Sequence, residues 1–344
     1  MRYLLVVLTL AAAVAFVLSV AVEAGWIGAT TPAPAPRLTA GPASSATNAA
    51  QTATPTLTEQ RTPITAYYFA APNDVSVSPQ GQVFVADTYN RRVVQLGPDG
   101  TQFQSWGKHA IHPASMSRPE RVTAYGGGFY VIDSTNTRVE KFSSQGGRLA
   151  SWTTGGSLGQ MTGPTALSVD AHGTVYLADG NNDQILRLTP DGHVAASFST
   201  KGFLPSAQAG PNDPGFPQGL ALDRLGKIYV AYPNSGVVQK FSPAGVPIDE
   251  WRLPQRGATA NDAAVDPAGN VYVLDSSLGL VSRFTATGPY LGSWGGNGHR
   301  RGQMNHPAGI SVDAHGHVYV ADTGNSRVEE FTTSGRLVHV WSYG

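Results

Sequence analysis

Cysteine is absent from this 344-residue chain, and charge is scarce: Asp, Glu, Lys and Arg make up 13% of it, and 23 basic residues cancel 23 acidic ones. The first absence excludes disulfides and a lipid-modified cysteine, so the body must close by packing and strand pairing. The second removes the basic excess that holds phosphates, which argues against a nucleic-acid partner, and it leaves no acidic tail or basic block. Long helical patterns are few as well. Forty Gly and 24 Pro are spread along the chain instead, as expected for many short strands joined by turns.

Long apolar runs are lacking except for one. Leu4 to Val22 follows Arg2 without a single charge, and at ~1.5 Å per residue it spans roughly 28 Å of helix, close to a bilayer core. Val22-Glu23-Ala24 can be read as a cleavage site, but the run is longer than a usual signal-peptide core, which favours an uncleaved anchor. Arg2 on the cytoplasmic side leaves the rest of the chain outside. Residues 25–61 are dominated by Ala, Thr, Pro and Ser, with too little apolar surface to offset ordering entropy. They are expected to form a disordered stalk with a reach of about 35 Å as a coil and on the order of 110 Å as polyproline II. The expected organisation is therefore an anchor or signal at 1–24, a linker at 25–61 and a folded body at 62–344.

Within that body, a stretch close to Val-Tyr-Val-Ala-Asp-Thr-x-Asn-x-Arg-Val begins at Val83, Phe129, Val175, Val271 and Val318, with a worn copy from Ile228. The period of roughly 46 residues is that of a repeat architecture. The clearest unit, Pro307 to Trp341, reads as four short strands with Gly-bearing turns, an antiparallel meander. Its second strand is apolar at nearly every position, so each sheet is packed between two others. Face-to-face four-stranded sheets around an axis make a β-propeller, and six copies make six blades: the expected class is all-β.

Trp106, Trp152, Trp251, Trp294 and Trp341 all fall at the end of a fourth strand, with Phe198 in the equivalent place once. This predicts packing between blades rather than ligand stacking. Asp87, Asp133, Asp179, Asp275 and Asp322 end second strands, four of them followed three residues later by Asn. Repeated so often, they are expected to be turn architecture, with Asp322→Ala costing roughly 0.5–2 kcal/mol.

These copies, with Trp-Gly-x-x-Gly-x-x-x-Gly-Gln at Trp294 to Gln303, resemble the NHL-repeat family over about residues 64–344. The strand-like Ile64 to Phe69 is expected to pair with the last blade and close the ring. With strands a to d counted outward from the axis, the long connections are all d-to-a links, which share one face with the b–c turns. Any site is expected there, at the ring of a-strand starts: Asn73, Asp74, Glu120, Arg121, Thr165, Gln218, Asn261, Asp262 and Ala308. Lactonases of the gluconolactonase type, also six-bladed, bind a metal with carboxylates and amides at such a mouth. That similarity makes Glu120, Asp74 and Asp262 candidate ligands for a divalent cation. Peptidylglycine-amidating lyases, with a similar propeller, hold zinc through His; His109, His112, His299 and His306 lie on these links but lack zinc spacing.

Gly155-Gly156-Ser157-Leu158-Gly159 fits G-x-S-x-G without the strand–helix context of a nucleophile elbow. Asp179 to Asp183 opens like a calcium loop but lacks its Gly and Glu. No residue set converges on a nucleophile or base. The expected function is thus binding of a protein, glycan or small molecule through the loop-rich face, including Lys201 to Phe216, outside the cytoplasm. The alternative is a metal-dependent lactonase-like hydrolase or lyase at the mouth.

Overall fold

The computed structural model describes residues 68–97, 102–108, 110, 112–201 and 215–342. The chain divides into two units, Met1–Gln60 and Arg61–Gly344, and the described residues all belong to the second. The expected anchor, the linker and Ile64 to Tyr67 lie outside the described residues, as does most of Lys201 to Phe216. Among the described residues no helix is long and apolar enough to cross a membrane.

Six antiparallel sheets follow one another, each built from four consecutive strands paired in chain order. Blade one comprises Pro72–Val77, Val83–Asp87, Arg92–Leu96 and Gln102–Gly107, with a short parallel strand, His112–Pro113, added at its outer edge. Blade six comprises Gly309–Val312, His317–Asp322, Arg327–Thr332 and Leu337–Trp341. The a strands of blades two to five are Pro119–Tyr125, Pro164–Val169, Gly219–Leu222 and Asp262–Val265. Each packs against the next, and the last against the first, so the sheets close into a six-bladed propeller.

The apolar b strands explain the architecture. Val83–Asp87, Val175–Asp179, Ile228–Tyr232 and Val271–Asp275 are buried at every position, because each faces a neighbouring blade on both sides. The cores accordingly lie between blades: Phe84, Trp106, Phe129 and Phe142 pack together across the first interface, and Leu274, Met304, Val320 and Phe331 across the fifth. Trp106, Trp152, Trp251 and Trp341 are buried, as the sequence predicts for interblade packing. A glycine in the c–d turn of the following blade seats three of these aromatics closely: an added Cβ would come within 2.2 Å of Trp152 at Gly192, 2.4 Å of Phe198 at Gly245 and 2.4 Å of Trp294 at Gly335. Phe198 therefore does the work of the missing Trp.

Gly335 also has φ +84, a conformation that costs a side chain about 1 kcal/mol or more. Gly335→Ala is expected to lower stability by about 2–3 kcal/mol, since it adds a clash with the Trp294 ring. Gly257, with φ +75 and nothing near its Cβ direction, is the control: Gly257→Ala should cost the backbone part alone. Equal losses in denaturant titrations of the two variants would show that the seat on Trp294 is unimportant.

Blades one and six meet directly. Phe69 is buried with Val75, Val85, Tyr319, Val328 and Trp341, Thr323 Oγ1 donates to the Pro72 carbonyl at 2.8 Å, and Val77 N–H donates to Ser311 Oγ at 3.2 Å. The sequence suggests a closing strand over Ile64 to Phe69. In its described part, Tyr68 and Phe69 are not in a strand, and Phe69 instead wedges the seam through its ring.

Candidate functional site

Strand register places six residues at equivalent points around the axis. Asp74, Arg121, Ala166, Gly219, Asp262 and Gly309 pair with Ala86, Ile132, Ala178, Ala231, Leu274 and Ala321 on their b strands. In blades one to three the register shifts just before this point, at Asn73, Glu120 and Thr165. Such a bulge re-aims the residue that follows it. The layer thus holds one cation, two acids and three small residues.

Arg121 fills it. Its Nε donates to the Thr165 carbonyl at 2.9 Å, Nη1 to Ala308 at 3.2 Å and Nη2 to Gln218 at 3.2 Å, while Asp262 Oδ2 lies 3.7 Å from Nη1. Asp74 Oδ1 and Oδ2 accept the backbone N–H groups of Val75 and Val122; Asp262 Oδ1 and Oδ2 accept those of Ala263 and Ile310. Each acid therefore staples its own blade to the next one. All three side chains are buried, at 6–7% exposure, which corrects the expectation that they face an open mouth. Burial pushes the Asp74 carboxyl up to about 7 against the pull of Arg121, with the charge of Asp262 adding to the rise. Burial raises Asp262 in the same way, again opposed by Arg121.

The other candidates form a collar on the loop-rich side of this layer, and most are committed to bracing it. Asn73 Nδ2 donates to the Glu120 carbonyl at 3.1 Å, and Thr165 Oγ1 to Pro217 at 2.6 Å. Glu120 pairs with Arg118 at 2.8 Å and accepts from Ser134 Oγ. Asn261 Oδ1 accepts from Ser276 N–H and Thr259 Oγ1, while Gln218 is half-buried. The seven residues share one end of the axis, but alternate ones point differently: Asp74, Arg121 and Asp262 inward, Asn73, Glu120, Gln218 and Asn261 into the collar.

The repeated strand-end acids do more than close turns. Asp87 accepts Ala70 N–H, Asn90 Nδ2 and Arg92 Nε; Asp322 accepts Asn305 N–H, Asn325 Nδ2 and Arg327 Nε, each at 2.7–2.8 Å. Asp133 takes Arg118 N–H and Asp275 takes Thr259 Oγ1. Each carboxylate thus latches its turn to the chain arriving from outside the blade. The described links are further pinned by buried Met116, Leu158, Met161, Leu253 and Met304. In Trp294 to Gln303, Gly302 N–H binds Glu329 and the His299 and Arg300 carbonyls bind Arg327. These links are packed parts of the scaffold.

A cavity among the described residues opens on the opposite side, among the tight a–b turns. It has a volume of about 770 Å³ and narrows from Gln80, Tyr125, His172 and Arg224 at the rim to Asp74, Arg121 and Asp262 at the floor. Its walls are the a strands, with Val77, Val169, Leu222 and Val312 among the lining side chains. Three hydroxyls tie the walls together: Ser76 accepts Ala124 N–H, Thr123 donates to Leu167, and Ser311 accepts Val77 N–H. A second repeated acid holds the rim. Asp223, Asp266 and Asp313 each accept two turn N–H groups and the hydroxyl of Tyr229, Tyr272 or Tyr319. The sequence signal for it was an Asp six residues before the Tyr of a b strand.

Among the described residues no three His, Asp or Glu side chains are placed to hold a metal ion. Of the acids a lactonase-like site would use, Asp74 and Asp262 already accept backbone N–H groups, Glu120 is paired with Arg118, and the Arg121 guanidinium lies 3.7 Å from Asp262, so a divalent cation does not fit this donor set. His299 and His306 are exposed and bonded to Asn325 and Asn305; His109 lies outside the described residues. Gly155 to Gly159 is a turn closed by Gly155 N–H on the Gly159 carbonyl, and Asp179 accepts from Asn182 and Gln184 rather than standing free.

Known proteins agree with this architecture. Among solved structures, a streptogramin B lyase superposes with TM-score 0.58 at 14% identity, covering 81% of this chain and 85% of its own. Virginiamycin B lyase from Staphylococcus aureus gives 0.56 at 12% identity, covering 80% and 85%. A gluconolactonase from Xanthomonas campestris gives 0.54 at 17%, covering 74% and 84%. At such identities the likeness is one of fold. No curated protein matches the sequence significantly. The NHL repeat matches residues 304–331, in keeping with the repeat pattern. The SMP-30/gluconolactonase/LRE-like region matches residues 18–209, more than half of the sequence, and the chain belongs to that family.

Proposed function

We propose that the protein is a small-molecule-binding propeller whose ligand enters the central cavity from the tight-turn face. The observation that carries this reading is the pairing of a cavity of about 770 Å³, within the usual range for ligand sites, with axial acids whose oxygens are all taken up by backbone N–H groups. A ligand can be enclosed there, above acids that are already engaged in holding blades together. The pinned links make the loop-rich face the weaker candidate. The apolar run ahead of the body supports work outside the cytoplasm, tethered or released.

Family membership favours one second reading, a lactonase-like hydrolase, since the Xanthomonas relative is a gluconolactonase. The two separate in a single experiment on the purified body with a panel of aldonolactones and sugar acids. Binding predicts that a panel member raises the melting temperature without being hydrolysed, and that Val169→Trp, which fills the cavity, abolishes the shift. Lactone turnover that survives desalting and vanishes with chelator would replace binding by hydrolysis.

A further inference from the structure

We propose that Arg121 is the propeller's built-in axial cation: its guanidinium takes the central place that a divalent metal would take in a lactonase of this family, and the fold needs no metal to hold its axis. This does not depend on what the cavity binds.

One side chain on blade two reaches four of the other five blades. It donates to carbonyls of blades three, four and six, lies 3.7 Å from Asp262 of blade five and faces the charge of Asp74 on blade one. Carbonyls and carboxylates arranged around a point are the oxygen shell that a hard cation gathers. Here the planar fork meets it, sending separate N–H groups to separate oxygens. The remaining axial positions are shaped for the same end. A Cβ on Gly309 would lie 2.3 Å from Asp74 Oδ1, and one on Gly219 would lie 2.5 Å from Asp262 Cα. Side chains there would displace the two acids. A metal in this layer would place a second positive charge against a buried guanidinium, at a cost the two carboxylates could not offset.

The test uses the full chain. Chelator and added calcium should leave the wild-type melting temperature unchanged, and metal analysis after dialysis should find no stoichiometric divalent ion. Arg121→Ala should melt lower by about 10 °C, because two acids lose their partner in a buried layer. Millimolar methylguanidinium should recover part of that loss in Arg121→Ala and do nothing to wild type. Arg121→Lys, which keeps the charge but cannot reach three carbonyls, should fall between. A wild-type protein destabilised by chelator, a stoichiometric divalent ion, or an Arg121→Ala variant as stable as wild type would each overturn the proposal. Should Arg121→Ala not fold, the chelator and metal measurements still decide.

Discussion

Asp322→Ala is expected to lower stability by about 2–4 kcal/mol, above the cost of one turn hydrogen bond, because three hydrogen bonds end on this carboxylate. The sequence alone suggests the smaller figure, because it shows a turn acid but not what reaches it. In the structure the Asp322 side chain is 0% exposed and holds Arg327, itself 8% exposed, at 2.7 Å. Removing the acid takes from the buried Arg327 guanidinium its nearer carboxylate, leaving it Glu329 at 3.2 Å and the link carbonyls, and it also frees Asn305 N–H, so the link before blade six loses its latch. Asp322→Asn should recover part of the loss, because an amide oxygen can still accept Asn305 N–H. Denaturant titration at neutral pH measures both variants, and a loss below about 1 kcal/mol for the alanine variant would contradict the latch.

Stability should also fall as pH rises from about 4 to 7. Burial raises Asp74 from 3.8 to about 7 and Glu329 from 4.5 to about 7. A carboxyl whose folded value lies above its unfolded one binds more protons in the native state across that window. Its contribution is complete below the unfolded value and is lost as pH rises through the folded one. Above about 7 the decline should level off. Asp74→Asn costs the bond from Val122 N–H, so its melting curve should lie lower at acid pH, yet it should be flatter. Slope is the measure here, not height. A profile as steep in Asp74→Asn and Glu329→Gln as in wild type would place the titration elsewhere.

The fold was legible in the sequence because its determinants recur. Apolar b strands, strand-end Asp and fourth-strand Trp are each repeated, and a repeat averages out local ambiguity. The axial layer was not legible for the opposite reason. Asp, Arg, Ala, Gly, Asp and Gly occupy one position, and no two neighbouring blades agree there, so the position carries no pattern of its own. Asn73 with Asp74, and Glu120 with Arg121, read as adjacent polar pairs at a wet mouth, whereas strand alternation turns one member into the collar and the other onto the axis. The cavity among the tight turns was not legible because strand-and-turn patterns carry no record of the space they enclose, and link length does not report packing: Met116 and Met304 anchor two of the described links.

Arg121 closes one end of the axis, and that makes the cavity a room with a single door. Water displaced by an incoming ligand must leave past it through the same rim, and one occupant must depart before another arrives. Under the proposed function, long molecules cannot be threaded through the ring, so a polymeric ligand would be held by its terminus. If a ligand enters as proposed, its residence time would be governed by the rim residues Gln80, Tyr125, His172 and Arg224, and substitutions there should change rates of exchange more than the depth of binding.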